Sequence, residues 1–483
     1  MSNSLRQFFL GGLSLSIVNI SGKIVNLLIL PILTYYLLPS DFGIIAIYFL
    51  VIEILCMFYN PGIISVTIRL YYDNDDNSDD NRILVGSAVL FLLILPLLII
   101  VFSLFFGEVL FDYFFKDFNY WPFGFFAVMA AISPQIVRLW STLWVAKHKT
   151  QKVAIVSLVR IFLAVFISLV LIVWFKMGAM GRIIGLFVGN VAIFTIAVYD
   201  IIKYTRFRVS FRNLLRTLVL GLPLVFSVFS YVIMNSSDKY MLEQMVGLSE
   251  LGIYDIAYTY SAIPLFLIVG FSQVWQPIFF ENMKKGSHNI LLMLSNYYII
   301  VFSLISLAVI VFSNEIFNLF INQKYINAIQ IIPWIVIGVY FLGLTNLIAS
   351  IYSYQKRFKE IGFISIIVAV LNIILNYALI LEFGLAGAAI ATSISYFAYF
   401  SILFFRAKRD ILIIFSIKGV IGAISLLISG FVIILYINNN TELSYSHTSY
   451  KICTMLFIIL SLFLFKIIGQ KDRLLLSNLF KRD

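Results

Sequence analysis

The chain has 483 residues, of which 62% are hydrophobic and 12% charged, and it carries a formal net charge of +11 at pH 7. Soluble domains usually contain about 45–50% apolar and about 25% charged residues. This composition excludes a soluble enzyme, a nucleic-acid-binding domain and a disordered protein, because even a large soluble core could not bury so much apolar surface. It predicts a protein surrounded by membrane lipid along most of its length.

Apolar runs long enough to cross a bilayer follow one another along the chain. A transmembrane helix needs about 20 apolar residues, and the runs predict about fourteen such helices. We therefore expect an all-α polytopic membrane protein, since regular runs of this length favour helices over a β-barrel. The predicted spans lie near residues 8–36, 42–68, 83–106, 121–145, 153–175, 178–199, 214–235, 253–277, 290–312, 329–352, 360–381, 384–404, 413–437 and 450–468.

The distribution of basic residues predicts which ends of these spans face the cytoplasm. If the N-terminus is cytoplasmic, cytoplasmic segments carry 25 of the 34 Lys and Arg residues, outer segments carry six, among them Arg182, and the spans carry three. An excess of this kind is typical of cytoplasmic loops. Because the number of predicted spans is even, we expect both termini in the cytoplasm.

The second half of the predicted helical region repeats the first. Three pairs of segments match in order at offsets of 206 to 209 residues: 40–44 with 249–253, 147–157 with 355–365, and 178–181 with 384–387. A repeat of six spans leaves both copies with the same orientation in the membrane. We therefore expect two six-helix lobes related by a pseudo-two-fold axis along the membrane normal. The predicted divisions are an N-terminal lobe at 1–205, a C-terminal lobe at 206–410, and an appended helix pair with a tail at 411–483.

Several segments in both halves also identify a family. In the first half they are Asn-Leu-Leu-Ile-Leu-Pro-Ile-Leu-Thr-Tyr-Tyr-Leu at 26–37 and Pro-Ser-Asp-Phe-Gly at 39–43. In the second half they are Asn-Ser-Ser-Asp-Lys-Tyr-Met-Leu at 235–242, Leu-Gly-Ile-Tyr at 251–254, and Ala257-Tyr258. Over roughly residues 5–410 the chain resembles the Wzx-type polysaccharide flippases, which belong to the multidrug, oligosaccharidyl-lipid and polysaccharide exporter superfamily.

The resemblance implies a function and a location. Such proteins carry oligosaccharide repeat units linked to undecaprenyl pyrophosphate from the inner to the outer leaflet of the bacterial cytoplasmic membrane, by alternating access between two lobes. The glycan would be O-antigen, capsule or another surface polysaccharide. The implied partners are the lipid-linked substrate, membrane lipids, and a polysaccharide polymerase with its chain-length regulator. The protein would be neither an enzyme nor dependent on a cofactor.

Polar residues inside the predicted spans are the candidate substrate site, because a charge at the bilayer centre costs about 2.5–3.5 kcal/mol on insertion scales. Lys23 lies midway along the first span, and Asn19, Lys23 and Asn26 share one helix face. This face predicts a water-filled cavity, or else a hydrogen-bonded seam between helices. Arg138 and Arg160 lie at similar depth in consecutive spans. They suit a pyrophosphate near the inner leaflet, although snorkelling to the headgroups is an equal alternative.

Acidic residues within or beside the spans have several interpretations. Glu53 is the only acid deep in a span, and we interpret it as an ion-pair partner of Lys23 or as a proton- or sodium-coupling group. Asp238 and Asp255 lie at the outer ends of their spans and are candidates for the outer part of a path. The three histidines are isolated in sequence, so we predict no metal site.

Two other functions are alternatives. A multidrug exporter of the same fold predicts acidic cavity residues, whereas the deep charges here sum to a positive value. A membrane-embedded glycosyltransferase or polymerase would need a sizeable catalytic loop, and no predicted loop exceeds about twenty residues.

Overall fold

The structure is a computed structural model that describes residues 21–73, 78–205, 210–407 and 414. Asn19, the first half of the first predicted span and, apart from residue 414, the last two spans lie outside these residues. The described helices are α1 Ser21–Tyr36, α2 Pro39–Tyr59, α3 Ile63–Tyr71, α4 Asp79–Phe114, α5 Phe125–Ala130, α6 Ile132–Ala146, α7 Thr150–Val173, α8 Gly178–Tyr204, α9 Phe211–Met245, α10 Leu248–Ser261, α11 Ile263–Lys285, α12 His288–Val311, α13 Ser313–Phe320, α14 Ile332–Tyr354, α15 Phe358–Phe383 and α16 Leu385–Ala407.

The described chain is a multi-pass helical membrane protein. Nine of its spans are long and apolar enough to cross a bilayer, and α10 with the first part of α11 makes a tenth when the bent pair is counted as one span. Helices suit this environment because they satisfy every backbone hydrogen bond within the segment. The all-α polytopic fold is confirmed, while the total of fourteen spans stays a prediction.

The predicted spans at 42–68 and 253–277 are interrupted, and each interruption contains or adjoins a proline. The span at 42–68 is divided into α2 and α3 by Asn60-Pro61-Gly62, where Gly62 adopts a φ of 76°. The span at 253–277 bends by 47° between α10 and α11, and Pro264 lies in the first turn of α11. Proline lacks the N–H that would continue a preceding helix but fits the first turn of a new one.

The sequence duplication has a counterpart in the backbone. His148 and Lys356 occupy equivalent positions of the second matched pair and have φ values of 58° and 59°. Gly178 and Gly384 begin the third matched pair and have φ values of 55° and 54°. Positive φ values are uncommon for residues other than glycine, so their recurrence at His148 and Lys356 supports the duplication.

The first matched pair forms a contact between the two copies. A Cβ atom on Gly43 would lie 2.0 Å from the carbonyl oxygen of Leu248, and one on Gly252 would lie 1.8 Å from that of Pro39. Gly252 lies 209 positions after Gly43, and Leu248 lies 209 positions after Pro39. The contact is therefore reciprocal, as it is across a two-fold axis. Only glycine permits so close an approach of two backbones.

The described chain packs as two compact units. The first comprises residues 21–256 and 365–392, and the second comprises 257–364 and 393–407. The second unit has an aromatic column in which Phe271, Tyr298, Phe302 and Tyr340 stack with centroid distances of 4.1, 5.3 and 5.5 Å. These units describe packing and not the sequence repeat, so the lobe boundaries at 205 and 410 stay a prediction.

Candidate functional site

A cavity of about 690 Å³ opens within the first unit among α1, α2, α6, α7 and α8. Three basic side chains line it, and its described lining residues include no acid. Hydroxyl and amide groups complete its polar surface. The polar lining residues are Lys23, Asn26, Ser141, Thr142, Ser157, Arg160, Arg182 and Asn190. We call this cavity the cationic cavity.

A stripe of glycines on α8 brings two of these basic side chains together. Gly181, Gly185 and Gly189 repeat every four residues along α8 and are buried against α7. A Cβ atom on Gly185 would lie 2.2 Å from Ser168 Oγ. Small residues at this spacing allow two membrane helices to approach closely. Arg160 of α7 and Arg182 of α8 therefore line one cavity.

Arg182 is the functional candidate that sequence reasoning missed, since it was counted with an outer segment. The structure buries it, with 5% of its surface exposed. Its guanidinium donates hydrogen bonds to Asn26 Oδ1 at 2.8 Å and to Ser168 Oγ at 3.3 Å. Arg182 thereby ties α8 to α1 and fixes the amide of Asn26. Its position four residues inside a predicted span was the available signal.

Arg160 is only partly satisfied by the protein. One of its terminal nitrogens donates to Asn190 Oδ1 at 3.1 Å, whereas its Nε is buried and has no hydrogen-bond partner among the described residues. Leaving a buried donor unpaired costs free energy. An acceptor that entered the cationic cavity would remove this cost.

Lys23 lines the same cavity, and its role in substrate binding stays a prediction. Within the described residues no ion pair joins Lys23 to Glu53; instead, Glu53 Oε2 accepts a hydrogen bond from Ser236 at 2.7 Å. Glu53 lies in a different cavity, so the alternative of a Lys23–Glu53 pair is not what the structure shows. The coupling role of Glu53 stays a prediction.

Arg138 lies in that second cavity and not beside Arg160. The second cavity measures about 420 Å³ and is lined by Glu53, Cys56, Met57, Asn60, Gln135, Arg138, Val228 and Val232. Helix α6 forms part of both walls, with Val137 and Ser141 on the cationic cavity and Gln135 and Arg138 on the second. The structure therefore does not bring the two predicted arginines to a single cavity.

Asp238 and Asp255 take part in a hydrogen-bonded network that joins α9 to α10. Lys239 Nζ forms an ion pair with Asp255 Oδ1 at 2.7 Å, and the hydroxyl of Tyr254 donates to Asp238 Oδ2 at 2.6 Å. Asp238 is 2% exposed. Both carboxylates are thus held by protein partners, as buried charges require. Their role along an outer path stays a prediction.

Comparison with known proteins identifies the fold. The structure of the lipid II flippase MurJ in an inward closed conformation superposes with a TM-score of 0.76 at 18% identity, covering 93% of this chain and 98% of that one. An inward-facing MATE family multidrug transporter gives 0.66 at 15% identity, covering 83% and 98%. The multidrug transporter DinF-BH gives 0.61 at 15% identity, covering 85% and 97%. The chain therefore has the fold shared by these transporters.

Sequence comparison finds relatives that match only part of this chain, and it also finds a family. A probable lipid II flippase MurJ of Thermotoga maritima is 32% identical over 118 residues, 24% of this chain and 25% of that protein. An uncharacterized membrane protein of Methanocaldococcus jannaschii is 25% identical over 206 residues, 40% of each chain. The chain thus matches less than half the length of either relative. The model of the polysaccharide biosynthesis protein family, in contrast, matches residues 9–283. Since this is more than half of its length, the chain belongs to the polysaccharide biosynthesis protein family.

Proposed function

We propose that the protein is a flippase that moves oligosaccharide repeat units linked to undecaprenyl pyrophosphate from the inner to the outer leaflet of the bacterial cytoplasmic membrane. The observation that carries this proposal is the cationic cavity, which holds Lys23, Arg160 and Arg182 without a lining acid. A diphosphate brings negative charge and acceptors to this basic cavity, where the Nε of Arg160 is unpaired, and guanidinium matches its geometry. The glycan would belong to O-antigen, capsule or another surface polysaccharide.

The position of the cavity agrees with loading from the cytoplasmic side. Ser141, Thr142 and Val153 of its lining lie close to the basic loop at 147–152, which the distribution of charge assigns to the cytoplasm. At the same ends of the helices, Asp200 of α8 accepts from Trp140 Nε1 at 2.9 Å and pairs with Lys152 at 2.6 Å. These contacts fasten α6, α7 and α8 around the entrance.

Release at the outer leaflet would require the two repeats to move relative to one another. Transporters built from internal repeats generally move one repeat against the other. This movement closes the binding site on one side of the membrane and opens it on the other. The appropriate partners are a polysaccharide polymerase and its chain-length regulator, which would receive the repeat unit at the outer leaflet.

A multidrug exporter is the second candidate, since MATE transporters share the fold. A cationic drug would be repelled by three basic lining residues, which favours the anionic cargo. The third possibility, a membrane-embedded glycosyltransferase or polymerase, finds no support in the short connections between the described helices.

Deletion of the gene separates these functions. We expect lipid-linked repeat units to accumulate in the inner leaflet and surface polysaccharide to fall, with both effects reversed by the plasmid-borne gene. Normal surface polysaccharide without accumulation of lipid-linked glycan would contradict the flippase. Increased sensitivity to cationic drugs in the same strain would favour the exporter instead.

A further inference from the structure

The second cavity has a different chemistry from the cationic cavity. It combines a guanidinium, Arg138, with a carboxylate, Glu53, and with the amide groups of Asn60 and Gln135. The charges of Arg138 and Glu53 cancel, so this cavity does not select for an anion as the cationic cavity does. It offers hydrogen-bond donors and acceptors side by side to a ligand without net charge.

Gln135 presents a buried and unpaired acceptor at the wall of this cavity. Its side chain is 5% exposed, and its Oε1 has no N–H or O–H donor among the described residues. Buried acceptors are almost always paired in native proteins, because an unpaired one has lost its bonds to water. Gln135 lines the second cavity, so a turn of its amide toward the cavity would let a hydroxyl or amide group of a ligand placed there supply the donor.

Glu53 adds a second acceptor in the same wall. Its Oε2 accepts a hydrogen bond from Ser236 at 2.7 Å, which holds the carboxylate in place and leaves Oε1 for a ligand. Arg138 contributes donors from α6, one helical turn from Gln135. A ligand with several adjacent hydroxyl groups can meet all three side chains, because each hydroxyl both donates and accepts.

We propose that the second cavity is a saccharide subsite in which Gln135, Glu53 and Arg138 bind the hydroxyl groups of a sugar residue of the transported lipid. This inference rests on the proposed function. The volume of the second cavity, about 420 Å³, lies in the range of small-molecule sites. The two cavities flank α6, where Gln135 and Ser141 are separated by six residues, or about 9 Å along the helix. A sugar and the diphosphate attached to it are neighbours in the same molecule.

Binding to the purified full-length protein in lipid nanodiscs tests the subsite. The probes are undecaprenyl diphosphate, which has no sugar, and the lipid-linked glycan extracted from the deletion strain. We expect Gln135→Leu to weaken binding of the glycan-bearing lipid by about tenfold, the effect of one lost hydrogen bond, and to leave undecaprenyl diphosphate binding unchanged. Gln151→Leu changes the same residue type at an exposed site outside both cavities and should alter neither affinity.

Gln135→Leu should melt near the temperature of the wild-type protein in the absence of ligand, because the substitution removes an unpaired buried acceptor together with the hydrogen bond of the same amide to Cys56. This melting temperature distinguishes a loss of binding from a loss of folding. Glu53→Gln provides a second variant with nearly unchanged shape, and we expect it to weaken glycan binding selectively as well.

The outcomes separate the two proposals. Wild-type protein that binds neither probe would overturn the proposed function. If the wild type binds both probes and neither variant loses affinity for the glycan-bearing lipid, the saccharide subsite is wrong while the diphosphate site stands. Loss of transport by Glu53→Gln with glycan binding intact would assign Glu53 to coupling and would also overturn its place in the subsite.

Discussion

Single residues inside the spans show how far sequence reasoning reaches. Lys23 and Arg160 were recognised because a charge surrounded by apolar residues is conspicuous, and both line the cationic cavity. Arg138 was equally conspicuous but faces another cavity, since its placement depends on how α6 is rotated about its axis. Depth can be counted along a sequence, whereas helix rotation is set by packing against neighbours. Arg182 was missed because the end of a predicted span is uncertain by about a turn.

Removing the charge of Arg160 should weaken capture of the diphosphate. We expect Arg160→Gln to reduce binding of undecaprenyl diphosphate by about 10- to 100-fold, since hydrogen bonds to charged groups contribute about 1.5–3 kcal/mol. The measurement is an equilibrium titration of the purified protein. Arg216→Gln, at an exposed position near the start of α9, is the matched control. An equal loss in both variants would indicate a nonspecific effect of net charge.

Helices and their breaks were predictable to different degrees. The long runs that became α4, α7, α8, α12, α14, α15 and α16 were located from hydropathy alone. The breaks after Tyr59 and Ser261 were not predicted, although Pro61 and Pro264 mark both. The close contact of α7 with α8 was not predicted either, because a glycine stripe acquires meaning only when the helix facing it is known. That contact is what places Arg160 and Arg182 on one cavity.

A single methyl group between α7 and α8 should therefore disturb the site. A Cβ atom on Gly185 would lie 2.5 Å from the backbone nitrogen of Ser168, so Gly185→Ala forces the helices apart. We expect a loss of about 1–3 kcal/mol in the free energy of unfolding, typical of overpacking, together with weaker lipid diphosphate binding. Thermal melting in detergent and the same titration measure the two effects.

Gly22→Ala is the control for this substitution. A Cβ atom on Gly22 meets only the flexible end of Ile161, at 3.4 Å. We expect its melting temperature to stay near that of the wild-type protein. If Gly185→Ala melted at the same temperature as Gly22→Ala, the close contact of α7 and α8 would not carry the stability we assign to it.

At the scale of the whole molecule, composition and repetition were the most informative features. The excess of apolar residues predicts the polytopic fold, and that prediction is confirmed. The matched segments predict the duplication, which the equal φ values of His148 and Lys356 support. The lobe boundaries depend on how distant parts of the chain pack, and the orientation depends on the membrane. Both stay predictions.

Cysteine labelling in intact cells tests the predicted orientation. In a background with Cys56→Ser and Cys453→Ser, a membrane-impermeant maleimide should label Lys324→Cys without treatment. Gln151→Cys should be labelled only after the cells are permeabilised, because its basic loop is expected in the cytoplasm. The reverse labelling pattern would require the opposite orientation. Both positions are exposed in the structure.

The reciprocal contact of Gly43 with Leu248 and of Gly252 with Pro39 constrains how the two halves of this gene can diverge. In a symmetric dimer of a single six-helix chain, one glycine would make both contacts. In the fused chain, each contact needs its own glycine, Gly43 or Gly252, so selection must retain both residues. A substitution at either glycine would separate the same pair of backbones, and the effects of replacing both should be less than additive. Here the two halves cannot evolve independently.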